Sequence, residues 1–371
     1  MRGPADLFQR ELLIFVGKGG VGKTTTSAAV ALRLAKEGRR TLLVTVDPAK
    51  RLKDSLGVDI GHRLKEVRPG LHAMMLDPEK VIDEYLRENY PDQDMTQSPF
   101  YKYISNYMPG INELLAIGKL IEFRQEKHFD TIVIDTAPTG HALSFLTTPM
   151  KVRDLFRENA LLRWTIRGYS LYQKFAKGGR ALGKVFGGKK ASDLPNLDIE
   201  KLFRDISEHV GAIQELMADA KKTNLFIVTL PEKLPVEESI DLHKYITKEL
   251  KIHIGYVVVN KVQPDVLLGL TKDVDKLARD PESQRHASEA LAGRGFDKSL
   301  VPALLQSAEF NQIRREMNLQ HIEELTRRLP NVTQVHLPLH RRDIAGLERL
   351  ELFETEFFKG LDRVTPLAKA R

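Results

Sequence analysis

Gly17-Lys18-Gly19-Gly20-Val21-Gly22-Lys23-Thr24-Thr25 is the stretch whose reading decides the fold. An apolar run, Leu12-Leu13-Ile14-Phe15-Val16, precedes it, and a segment rich in helix formers, Ser27 to Lys36, follows it. Strand, glycine loop and helix, in that order, are the context of a P-loop, and the pattern G-x-x-x-x-G-K-[ST] is met in full. Glycines let backbone N–H groups turn inward and approach an anion closely, and a helix N-terminus adds its positive dipole end. Lys23 is expected to neutralise the β- and γ-phosphates, and Thr24 to offer its hydroxyl to Mg²⁺. Gly17, Gly19 and Gly22 also satisfy G-x-G-x-x-G, the looser signature of a dinucleotide site. That alternative leaves Lys23-Thr24 without a role. The expectation is a nucleoside-triphosphate site.

Outward from the loop, the chain alternates short apolar strands with long helical stretches. Thr41 to Val46 reads as a strand ending at Asp47-Pro48, and Leu71 to Leu76 as a weaker one. Thr131-Ile132-Val133-Ile134 runs into Asp135-Thr136-Ala137-Pro138-Thr139-Gly140-His141. Leu225 to Thr229 follows, then Ile254 to Val259 running into Asn260-Lys261, then Val332 to Leu337 ending at Pro338. A helical region is expected from Asp273 to Arg328, and a closing helix from Asp343 to Gly360. This alternation predicts an α/β fold of the P-loop NTPase type, a mostly parallel sheet covered by helices on both faces. Ligands in such sheets bind beyond the carboxyl ends of the strands, where the polar clusters of this chain fall.

Two long intervals interrupt the pattern, at about 81–126 and 147–223. In the first, Phe100, Ile104, Tyr107, Ile111, Leu114 and Leu115 recur at helical spacing, broken by Pro109-Gly110. In the second, Leu162, Ile166, Tyr169, Tyr172 and Ala176 do the same. Both read as helical insertions into a single ATPase domain spanning 1–371, together forming an α-helical subdomain.

Composition narrows the classes. The chain has 371 residues and no cysteine, which excludes disulfides, thiolate zinc sites and cysteine-held iron–sulfur clusters. It has no run of 18 apolar residues, so no membrane span is expected. The polar start, passing straight into the first strand, gives no secretory signal, and the expected location is cytoplasmic. The net charge of +7 is concentrated, since residues 151–190 hold eleven Lys or Arg against Asp154 and Glu158. The rest of the chain is close to neutral, so the basicity calls for a local explanation.

Triphosphate hydrolysis needs positioning and charge stabilisation more than covalent chemistry. Asp135, at the end of an apolar strand, is placed to serve the metal shell; the bland alternative is a cap on the next helix. Asp47 likewise ends a strand and is a candidate to orient the attacking water, the alternative being an Asp-Pro turn. Asp54 reads as an exposed helix residue. His141 is a candidate phosphate sensor or a structural histidine.

The lysine directly after Gly17 makes the loop a deviant Walker A. This motif resembles that of a class containing Min- and Par-type ATPases, the nitrogenase iron protein and the arsenite-pump ATPases. Asp47-Pro48-Ala49-Lys50-Arg51-Leu52-Lys53-Asp54 is similar to switch I of the last group. Asp135-Thr136-Ala137-Pro138-Thr139-Gly140-His141-Ala142-Leu143 is similar to its switch II, and Pro109-Gly110-Ile111-Asn112-Glu113 resembles its insertion. The chain is thereby identified as a member of the arsenite-pump/tail-anchored-protein-targeting ATPase family, over about Leu12 to Phe358.

The resemblance implies ATP as the nucleotide, with Mg²⁺, where the residues alone leave ATP and GTP open. It implies a homodimer in which Lys18 reaches toward the partner's nucleotide. It implies that Asp47 positions the hydrolytic water and that Asp135 sits near Mg²⁺. It also implies that Asn260 binds adenine, with Glu232 and the Pro338-Leu339 loop near the nucleoside. The departures count as well. Arsenite pumps of the family hold arsenite through cysteine thiols, and eukaryotic-type targeting ATPases carry a Cys-x-x-Cys zinc clasp. This chain has neither.

The paired apolar insertions then suggest a groove for the hydrophobic helix of a client membrane protein. A pump-driving ATPase partnered with a membrane channel is the second reading. A positioning ATPase on DNA or a membrane surface is the third. The basic segment suits anionic lipid headgroups or an acidic partner around such a groove. Nucleic acid is disfavoured because the charge lies inside an apolar-patterned insertion.

Overall fold

The computed structural model describes residues 8–46, 51–77, 128–138, 199–267, 271–297 and 299–362, with scattered helical positions between 80 and 87, 118 and 124, and 143 and 150. Tyr107, Tyr172, the basic segment 151–190, and Asp47, Thr139, Gly140 and His141 lie outside the described residues.

Among the described residues, eight strands form one sheet: β1 Leu12–Val16, β2 Thr41–Thr45, β3 Lys65–Arg68, β4 Leu71–Met75, β5 Thr131–Asp135, β6 Thr223–Thr229, β7 Ile254–Val262 and β8 Thr333–Pro338. Their order is β3-β4-β2-β5-β1-β6-β7-β8. Every neighbouring pair is parallel except β3–β4. β1 lies between β5 and β6, with Phe15 level with Asp135 on one side and Phe226 on the other. Its five residues are all buried, which is why it reads as a continuous apolar run rather than an alternating one.

Side chains from alternate β1 positions feed two separate cores. Leu13 and Phe15 join α1 (Lys23–Lys36) and α8 (Leu347–Asp362), while Leu12, Ile14 and Val16 join the opposite face. On the first face Phe15 stacks on Phe226 at 4.6 Å, and Phe226 on Tyr256 at 5.7 Å. Burial pushes the Tyr256 hydroxyl up to about 12. The other face is covered by α3 (Ile199–Ala218), α4 (Lys233–Tyr245) and the C-terminal part of α7 (Leu300–Arg328), through residues such as Ile213, Val236, Ile240, Ile322 and Leu325. A parallel sheet carrying helices on both faces is the expected α/β class.

Several boundaries differ from the sequence reading. The edge strand β3 was not expected: Lys-Glu-Val-Arg carries no apolar run, and its Lys65 and Glu66 are exposed. Charged residues suit a sheet edge, where they discourage pairing with other chains. The expected helical region 273–328 is three helices, α5 (Thr271–Arg279), α6 (Pro281–Ala292) and α7. Asp280 caps α6 by accepting from the Glu282 and Ser283 amides, with Pro281 at the first helical position. Gly295, in the left-handed region, lies in the turn before α7. The closing helix begins at Leu347 rather than Asp343. At the end of the interval 147–223, Ile213, Leu216 and Met217 of α3 pack into the sheet core.

Candidate functional site

The P-loop is stretched between the end of β1 and the start of α1. Gly17 has φ 149°, and a Cβ there would stand 2.2 Å from the Val228 carbonyl of β6. Gly22 caps α1 in a left-handed conformation, and a Cβ on it would meet Asn260 Nδ2 at 2.3 Å. Only glycine satisfies both the dihedral and the space at these two positions. α1 has no side-chain cap and no acidic residue in its first turn, so no carboxylate of its own offsets the positive end of its dipole. That is the arrangement an anion occupies.

Lys23 is buried and its Nζ donates to the Lys18 carbonyl at 2.8 Å. Thr24 Oγ1 donates to Asp135 Oδ2 at 2.7 Å, and Thr45 Oγ1 donates to the same oxygen at 3.1 Å. Asp135 is fully buried at the carboxyl end of β5. A buried carboxylate beside a hydroxyl is a hard-oxygen donor pair. It fits Mg²⁺, which takes one or two protein oxygens and otherwise relies on water and phosphate. No group of three or more His, Cys, Asp or Glu that could hold a metal occurs among the described residues. A phosphate-assisted Mg²⁺ site does not require one.

Lys18 Nζ pairs with Glu238 Oε1 of α4 at 2.8 Å. Asn260 Nδ2 donates to the Val21 carbonyl at 2.9 Å, and its Oδ1 accepts from the Lys261 amide at 2.9 Å. A register shift between Val259 and Val262, with Lys261 at φ 58°, re-aims this part of β7 under the P-loop. Glu232 is the N-cap residue of α4.

These elements enclose a cavity of about 370 Å³, within the size of a small-molecule site. Gly20, Gly22, Lys23, Thr24, Thr25, Asn260 and Lys261 line it, with Asp54 and Ser55 of α2 (Arg51–Leu56) and the segment from Leu339 to Ile344. Thus the structure brings Gly20, Gly22, Lys23, Thr24, Thr25 and Asn260 to one cavity. Gly17, Lys18, Gly19, Val21, Asp135 and Glu232 are outside its lining, Asp135 joining it through Thr24, and Pro338 borders it through Leu339. Lys261 lines the cavity beside Asn260, as the polar cluster at the end of that strand suggests; Ser55, His340, Arg342 and Asp343 belong to no motif and are not found by sequence reasoning, which reads Asp54 as an exposed helix residue. Asp54 is indeed exposed, on the cavity's rim.

A larger cavity, about 640 Å³, opens at the other end of the sheet between His243, Lys251, His253 and Arg328. Burial holds His243 below the ordinary imidazole value. α4 and α7 both end there with basic residues in their last turns, which offset the helix dipoles. The phosphate-directed chemistry is all at the smaller cavity.

A mostly parallel sheet with a glycine loop, a Lys-Thr pair directly after it and a strand-terminal Asp defines a P-loop nucleoside triphosphatase. The chain belongs to the family described as anion-transporting ATPase, whose model matches residues 10–289, and it is an ATPase. It is 32% identical to ATPase ASNA1 homolog 1 of Paramecium tetraurelia over 255 residues, 67% of this chain and 74% of the relative. It is 31% identical to ATPase GET3C of Arabidopsis thaliana over 280 residues, 69% and 68% of the two chains. It is 28% identical to a Chlorobaculum tepidum protein named as an arsenical pump-driving ATPase, over 68% of this chain and 61% of that one.

Proposed function

We propose that this ATPase works as a face-to-face homodimer that uses ATP and Mg²⁺ to capture and release a hydrophobic segment of a membrane protein. Lys23 and the first-turn amides of α1 would hold the phosphates. Thr24 and Asp135 would hold Mg²⁺, which when bound supplies charge neutralisation at the β- and γ-phosphates. Thr45 fixes the Asp135 carboxylate, and Asp47 would orient the attacking water. Asn260 both buttresses the loop through Val21 and stands at the cavity wall where a base would lie, with Glu232 and the Pro338-Leu339 turn nearby. Lys18 would act on the partner's nucleotide.

One observation carries the client. α7 and the turn before it expose Phe296, Leu304, Phe310, Ile313 and Met317, each more than half exposed. Phe310, Ile313 and Met317 lie on one helix face by their spacing of three and four. The same helix is tied to the nucleotide end: Asn318 Nδ2 donates to the Pro231 carbonyl at 3.0 Å, and Arg315 donates to the Gln263 carbonyl at 3.0 Å. Pro231 adjoins Glu232, and Gln263 follows the Asn260-Lys261 bulge. Nucleotide-dependent shifts of those loops therefore have a direct route to an apolar surface of the kind that marks an interaction site. The helical subdomain of the insertions would complete that surface.

The test is retention of the chain on an immobilised transmembrane-helix peptide. Retention that differs between ATP and ADP, and falls in a Phe310→Asp, Ile313→Asp double variant, supports the reading. Retention equal to that on a polar control peptide in every nucleotide state overturns it. The names of some relatives favour a second reading, a pump-driving ATPase; arsenite-stimulated hydrolysis by this cysteine-free chain would favour it instead.

A further inference from the structure

Lys18 is held at both ends. Its carbonyl accepts from Lys23 Nζ, and its own ammonium lies 2.8 Å from Glu238 Oε1, with the two side chains 39% and 37% exposed. Glu238 stands on α4, whose N-cap is Glu232 and whose Glu237 pairs with Arg328 of α7 at 2.7 Å. The lysine that the dimer reading sends across to a partner is, in the single chain, bound to its own α4. A phosphate of another subunit would have to compete with Glu238 for this ammonium.

We propose that Glu238 is a resting latch for Lys18, which keeps the lysine on its own subunit until a partner's nucleotide outcompetes the carboxylate. The inference rests on the dimer reading of Lys18 given above. The energetic ordering is right for a latch. A half-exposed lysine–carboxylate pair is weak and salt-screened. A triphosphate offers several oxygens and more charge to the same ammonium. Glu238 therefore sets how readily Lys18 is released without touching phosphate itself, which makes it a positioning residue.

The experiment measures specific ATPase activity against enzyme concentration for the wild type, Glu238→Gln, Glu238→Asp, Lys18→Ala and the Lys18→Ala, Glu238→Gln double variant. Glu238→Gln keeps the shape and removes the charge. It is expected to lower the enzyme concentration giving half-maximal specific activity by about two- to five-fold, the range an exposed ion pair supports. It should reach the wild-type plateau and bind nucleotide as the wild type does. Glu238→Asp, one methylene shorter, should lie between the two. The effect should vanish in the Lys18→Ala background, since both substitutions break the same contact. A merely structural role for Glu238 would lower the plateau instead of shifting the midpoint. An unchanged or raised midpoint in Glu238→Gln, with Lys18→Ala impaired, overturns the latch alone. Wild-type turnover by Lys18→Ala overturns the dimer reading beneath it.

Discussion

Thr24 Oγ1 donates to Asp135 Oδ2 at 2.7 Å across 111 residues of chain, joining the first turn of α1 to the end of β5. The register of β1 beside β5, Phe15 level with Asp135, puts the two within reach. Both groups are buried, and Thr45 donates to the same carboxylate oxygen, so the carboxylate is held from two sides. Asp135→Asn and Thr24→Ala are each expected to lower Mg²⁺-dependent ATP hydrolysis on the order of 10²–10³-fold, the size of losing one charge-stabilising group from a preorganised site. Lys23→Ala should abolish it. Steady-state ATPase assays across a Mg²⁺ titration check this; near-normal rates in Asp135→Asn would remove Asp135 from the metal shell.

Gly22→Ala tests the loop's shape rather than its charge. The new methyl would collide with the Asn260 amide in a backbone conformation that disfavours any side chain. A cost of about 1–3 kcal/mol in stability is expected, with loss of nucleotide binding. Thermal melts with and without ATP measure both: the variant should melt lower and gain no stabilisation from nucleotide.

Glu354 of α8 is 2% exposed and receives Lys36 Nζ at 3.0 Å and Arg33 Nη1 at 3.2 Å, clamping the P-loop helix to the closing helix. Glu354→Gln keeps the volume and removes the charge. It should destabilise by about 1–3 kcal/mol, as for hydrogen bonds to charged groups, with nucleotide affinity little changed. Denaturant unfolding gives the number; an unaltered midpoint would mean that the clamp carries no net energy.

Acid should weaken the fold through carboxylates held below their usual range. Hydrogen bonding to Arg40 lowers Asp130, and hydrogen bonding to Arg68, with Lys36 nearby, lowers Glu351. A depressed carboxyl contributes stability that is fully present above its unfolded value and is lost as pH falls through its folded one. Both contributions are therefore present at neutral pH and are lost only as pH falls below the ordinary carboxylate value of about 4. Asp130→Asn should flatten the dependence of the melting temperature on pH there and leave it unchanged near neutrality.

Seven of the eight described strands were legible from their apolar or β-branched runs, most clearly where both faces are buried, as in Leu12–Val16 and Thr131–Ile134. β3 was not, since an exposed edge strand of Lys, Glu, Val and Arg carries no burial signal. The breaks at Asp280-Pro281 and Gly293–Gly295 were local turn chemistry hidden inside a long helical pattern. At the site, the P-loop and Asp135 were legible because phosphate and metal demand particular residues at fixed spacing. Ser55, Arg342 and Asp343 were not, because only the tertiary fold brings them to the cavity. The Lys18–Glu238 pair, 220 residues apart, is tertiary in the same sense.

The central claim is that two chains act on each other's nucleotides through Lys18, and complementation tests it most directly. Lys18→Ala keeps an intact site of its own but donates no lysine. Lys23→Ala has a dead site but still donates Lys18. Each alone should be nearly inactive. An equimolar mixture should recover up to about a quarter of the wild-type specific activity, since random pairing into two-fold dimers gives half mixed pairs with one working site each. Activity no greater than the sum of the two separate variants would contradict the account.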